Sequence, residues 1–186
     1  MEKMGNPGPV GLLGFGMTTV LLNIHNAGFT SLDDHILAMG IFVGGLAQVI
    51  AGILENKRGN TFASTAFTLY GFFWIALVWM VYHAHSAGGL ATYLMVWGIF
   101  SFFMFIGTLK LNKTLQFIFG TLTILFALLT IGNYMVAAGS VDGGKFVLHI
   151  AGFEGIICGA SAMYLAFAEI LNEVYGREVL AIGAKK

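Results

Sequence analysis

Polar residues in this chain gather into short clusters, and between them lie six apolar stretches near the length of about 20 residues that crosses a hydrocarbon core of roughly 30 Å. The stretches are Pro9 to Asn26, His35 to Leu54, Thr61 to Tyr82, Leu90 to Leu109, Thr114 to Ala138 and Phe146 to Leu171. The clusters between them are HNAGFTSLDD, ENKRGN, HAHSAGG, KLNK and GSVDGGK. In lipid only helices and closed barrels satisfy their own backbone, and runs this long without two-residue alternation predict helices. The expected fold is all-α and integral to the membrane, a single six-helix transmembrane domain over residues 1–186.

Composition agrees. Hydrophobic residues make up 58% of the chain, charged residues 10%, and mean hydropathy is +0.84. Net charge is zero with no block of like charge, which gives nucleic acid nothing to bind. With six crossings, Lys3, Lys57, Arg58, Lys110, Lys113, Arg177, Lys185 and Lys186 share one side and leave Lys145 alone on the other. The positive-inside rule then puts both termini in the cytoplasm. The expected location is the cell inner (plasma) membrane, as a multi-pass protein. The opening MEKMGNPGPV lacks a signal peptide's apolar core, so the mature chain is expected to begin at Met1. Cys158 stands alone and cannot form an internal disulfide.

Asn6, Asn60 and Asn112 recur at nearly equal spacing, each ahead of an odd-numbered run, which suggests three helix pairs in series. Asparagine suits this place because its side-chain oxygen accepts from the free N–H groups of a helix's first turn. Both prolines of the chain, Pro7 and Pro9, fall in NPGPVGL, where the missing N–H costs nothing and the fixed φ suits a helix start. That motif is either a stiff cap or, if the helix begins below the membrane surface, a helix N-terminus turned toward an anion. Donors for a carboxylate inside the apolar helices are available at Thr18, Thr19, Asn23, Gln48, Thr65, Thr68, Thr121 and Asn133. Threonine in a helix also commonly bonds to its own backbone.

Ionisable residues within membrane helices are functional candidates by default. Glu55 stands beside Lys57 and Arg58 and reads as an ion pair; Glu169 and Glu173 lie near solvent and Arg177. Glu154 follows Lys145 by nine residues, about 14 Å into the bilayer, and is a candidate for a proton-linked role or a structural hydrogen bond. His25, His35, His83, His85 and His149 open an alternative reading, a membrane redox protein with histidine-ligated haem or metal. All but His149 fall in or beside loops, so no cofactor and no metal site are expected. No G-x-x-x-x-G-K-[ST] motif occurs.

NPGPVGLLGFGMTTVLLNIHNAG resembles the NPAPLGL signature and first helix of the acetate uptake transporter family, the succinate-acetate permeases. GGLAQVIAGILENKRGNTFASTAFTLYGFFW, FMFIGTLK, LQFIFGTLTILFALLTIGN and ICGASAMYLAFAEILNE resemble it as well. The resemblance implies a transporter or channel, not an enzyme, for acetate and related short-chain carboxylates, succinate among them, with proton symport possible. It also implies a homohexamer with a pore in each protomer. The family's apolar constriction maps onto Phe15, Tyr70 and Leu122, and an alanine linked to substrate range maps onto Ala162. The expected pore set is therefore Asn6, Pro7, Phe15, Thr18, Gln48, Tyr70, Leu122, Asn133 and Ala162, with Glu154 as the proton-linked candidate.

Overall fold

A computed structural model describes residues 5–83 and 85–183. Within them the chain forms six helices: α1 (Gly8–Asn26), α2 (Asp34–Lys57), α3 (Thr61–Tyr82), α4 (Ala87–Thr108), α5 (Lys113–Ala137) and α6 (Val141–Tyr175). Met1, Lys3, Lys185 and Lys186 lie outside the described residues.

Side-chain caps set three of the six helix starts. Asn60 Oδ1 accepts from the Ala63 N–H at 3.2 Å and Asn112 Oδ1 from the Leu115 N–H at 2.8 Å, as the asparagine spacing predicts. Ser86 does the same for Gly89 at the start of α4. Between α2 and α3 the chain reverses at Gly59, whose φ of +76° is open to glycine at little cost.

Five of the six helices, α2 to α6, are long and apolar enough to cross a membrane. The first, in which Pro9, Thr18, Thr19, Asn23 and His25 dilute the apolar residues, is not among those five. It occupies the interior of the bundle and packs most extensively on α6. Gly16 and Gly159 make that approach possible, because a Cβ on either would sit 2.7 Å from the other's carbonyl oxygen. Large apolar side chains point outward all around, among them Phe42, Phe72, Trp79, Phe103, Phe117 and Phe146. A surface of this kind belongs in lipid, where apolar exposure carries no penalty.

Two features depart from the sequence expectation. The last helix runs from Val141 to Tyr175, longer at both ends than Phe146 to Leu171, because Gly139 and Gly176, both at positive φ, are what bound it. Within α2, residues Gly40–Ala47 are π-helical, a widened turn that is often found at functional sites. Gly44 in that stretch lies against Thr18 and Trp74, so contacts with other helices fix the register.

Candidate functional site

The site begins at Asn6. Its Oδ1 accepts from the Gly8 N–H at 3.1 Å and from Arg58 Nη1 at 2.7 Å, while its Nδ2 donates to Glu169 Oε2 at 2.9 Å. One amide therefore ties the start of α1 to the α2–α3 turn and to α6. Pro7 is the buried N-cap, and its carbonyl accepts from Val10 and Gly11. With Gly8 served by Asn6 and Pro9 lacking an N–H, the first-turn donors are occupied, which favours the stiff-cap reading of this motif over direct anion capture.

Beside Asn6 opens a cavity of about 490 Å³. Asn6, Asn60 and Asn112 all line it, together with Arg58, Lys110, Glu55 and Glu169. Phe15, Tyr70 and Leu122 follow their asparagines by nine or ten residues, about 14 Å along each helix, and line the same cavity. All three are buried, and the Phe15 and Tyr70 rings stand 6.0 Å apart. The walls between are apolar, formed by Leu12, Ala66, Phe67 and Phe119. Polar and charged side chains thus line the Asn6 end of the cavity, and apolar ones line it further along the helices.

Gln48 lines the cavity just past the π-helical stretch of α2. Its side chain is fully buried, yet neither the Nε2 nor the Oε1 atom has a hydrogen-bond partner among the described residues. A buried amide left unpaired costs on the order of 1–3 kcal/mol, which an occupant of the cavity could recover. Tyr70 differs: its hydroxyl is bonded to Ser101 Oγ at 2.7 Å, and Ser101 donates in turn to the Trp97 carbonyl. The tyrosine ring is thus fixed by α4, with Phe100 and Phe119 packed on it.

Other expected pore residues fall elsewhere. Thr18 is fully buried against Gly44 of α2, with its hydroxyl 3.5 Å from the Met39 carbonyl. Asn133 donates one of its two amide hydrogens to the Leu129 carbonyl of its own helix and is not part of the cavity wall. Ala162 is buried in the core cluster that includes Phe15, Tyr70 and Leu122 but is not part of the cavity wall. Pro7 and Glu154 are also outside the wall, and both carboxylate oxygens of Glu154 lack partners among the described residues. Thr121 bonds to carbonyls of its own helix.

Sequence reasoning missed several residues that the fold brings to the mouth. Glu169, read as solvent-facing, meets Asn6 instead. Glu55 pairs with Arg58 at 3.3 Å as expected, but it is 2% exposed and its Oε2 has no partner among the described residues. The chain after Tyr175 folds back so that the Ile182 and Gly183 carbonyls accept from the first N–H groups of α5, and Ile182 lines the cavity. A signal existed for Ser101, the one hydroxyl in LMVWGIFSFFMF. The histidine reading gains nothing: His25, His83 and His85 bond to nearby backbone carbonyls at exposed positions. Among the described residues no three His, Cys, Asp or Glu side chains converge as a metal site.

The profile of the GPR1/FUN34/yaaH family matches residues 1–176. The chain belongs to this family. It is 55% identical to the succinate-acetate/proton symporter SatP of Escherichia coli (strain K12), over 97% of this chain and 96% of that protein. A solved structure described as that of the bacterial acetate channel SatP superposes with a TM-score of 0.91 at 55% identity, covering 97% of this chain and all of that one. The all-α membrane fold is therefore shared with a structurally known family member.

Proposed function

We propose that this protein carries acetate and related short-chain carboxylates, succinate among them, through the cavity bordered by α1, α3 and α5, and that it performs no enzymatic reaction. The observation that carries the reading is the convergence of Asn6, Asn60, Asn112, Gln48, Phe15, Tyr70 and Leu122 on one cavity. Arg58 and Lys110 attract an anion at the mouth, and Gln48 offers a donor once water has been shed. A carboxylate cannot be buried unpaired, so such a donor is needed wherever the wall turns apolar. The names of its relatives, a symporter and a channel for acetate, support the same substrate class.

The reading includes six membrane crossings, with α1 spanning inside the bundle, and both termini on the cytoplasmic side of the plasma membrane. The shared end of the bundle, where Arg58, Lys110 and Lys113 lie, supports that orientation. Assembly of protomers into a homohexamer rests on the family resemblance, and so does a role in substrate range for Ala162 acting through the core.

Uptake of labelled acetate into proteoliposomes tests the function, with pH gradient and voltage set separately. Saturable uptake in which propionate or formate competes, and aromatic acids compete poorly, is expected. Permeability equal to that of empty liposomes refutes the proposal. A second expectation concerns the mouth. Asn6→Ala removes the amide that holds Arg58 and Glu169 and the acceptor of the Gly8 N–H, so uptake should fall while membrane insertion persists. Loss of inserted protein in proportion to loss of uptake would return Asn6 to a structural role.

A further inference from the structure

An anion path with two acidic side chains at its mouth presents a physical difficulty. Glu55 and Glu169 both line the cavity, against the cations Arg58 and Lys110. When a carboxylate enters, three negative groups face two positive ones in a space partly withdrawn from water. Like charges so confined cannot all remain ionised without cost, and the least compensated one takes up a proton. The hydrogen-bond pattern singles out which. Glu55 is held by the guanidinium of Arg58 at 3.3 Å. Glu169 has no direct ion pair: the neutral amide of Asn6 reaches it at 2.9 Å, and Arg58, whose charge also acts on it, is bonded instead to that amide's oxygen and to Glu55. Glu173, a further acidic side chain, follows one turn on along the same helix.

We propose that Glu169 is the proton-binding residue of transport, taking one proton from solvent at the mouth as a carboxylate solute occupies the cavity. This rests on the proposed function and replaces Glu154, which stands apart from the cavity wall, in the proton-linked role. Linkage makes the effect mutual: whatever factor the solute adds to proton affinity, the proton adds to solute affinity. The balance is simple, since the carboxylate of Glu169 and one proton become a carboxylic acid and no other bond changes. Asn6 then connects the event to α1, because its amide spans Arg58 and Glu169.

Labelled acetate exchange in proteoliposomes, at equal pH on both sides and with empty-liposome rates subtracted, gives the half-saturating acetate concentration at each pH. Between about pH 5 and 8, the wild-type value should rise toward a limit of about tenfold per pH unit, the slope of a single linked proton. Glu169→Gln keeps an oxygen for Asn6 but cannot titrate, and its value should be flat. Glu169→Asp should restore the slope, which a purely structural role would not require. Glu154→Gln should behave as the wild type. Should Glu169→Gln exchange acetate with the wild-type slope, the proton travels on the solute or on another group and the assignment is wrong. A wild-type protein that exchanges no acetate overturns the functional reading itself, and the assignment with it.

Discussion

Gln48→Leu is expected to remove most acetate flux while leaving the protein at least as stable as the wild type. The two effects separate because the wild-type amide is buried and unpaired among the described residues. Replacing an unsatisfied polar group by an apolar one of similar shape is neutral to stabilising, whereas a lost hydrogen bond to a charged group costs about 1.5–3 kcal/mol. Flux limited by carboxylate passage at this point should fall on the order of tenfold to a hundredfold. Thermal unfolding in detergent and labelled acetate uptake, measured on the same preparations, check both halves. Retained flux with a raised melting temperature would mean that Gln48 never meets the solute.

Leu122→Ala should admit acids bulkier than acetate. The leucine is 3% exposed and forms part of the cavity wall with Phe15 and Tyr70, so truncation removes three carbon atoms from that wall. Discrimination by one or a few methylenes in an apolar site is worth roughly tenfold or more, and the lactate-to-acetate flux ratio should rise on that scale. Loss of packing alone must be told apart, since such a truncation also costs about 2–5 kcal/mol. Leu125 supplies the control, being 4% exposed in the same core cluster but absent from the cavity wall. Leu125→Ala should destabilise comparably and leave the ratio unchanged. An equal rise in both variants would show that a loosened bundle, rather than a discrete narrowing, sets selectivity.

What the sequence makes legible here is mostly local. Helix capping by Asn60 and Asn112 joins residues only three positions apart, so it can be read directly, and apolar run length places the helices to within a few residues. Asn6 looks identical in sequence but acts differently, because Arg58 and Glu169 reach it from positions far along the chain. The π-helical turn of α2 leaves no periodicity signal in a stretch as uniformly apolar as GIFVGGLA. Polar residues in helices were the least readable part of the site. Gln48 and Asn133 have equivalent amides in comparable runs, and only the packing of neighbouring helices leaves one facing a cavity and the other bonded to its own backbone. Family resemblance picks out Phe15, Tyr70 and Leu122, and their common spacing of nine or ten residues after Asn6, Asn60 and Asn112 agrees with it.

The most direct test of the route itself uses a thiol placed in the cavity. Ala63 lines it next to Asn60, whereas Ala127 lines a separate groove between α4 and α5. With the buried native thiol removed by Cys158→Ala, each position is changed to cysteine and treated with a membrane-impermeant thiol reagent from the side of the mouth. Modified Ala63→Cys protein should lose acetate flux, and acetate present during treatment should slow the modification, while Ala127→Cys protein should carry acetate as before. Full modification of Ala63→Cys with undiminished acetate flux would contradict the claim that the solute passes through this cavity.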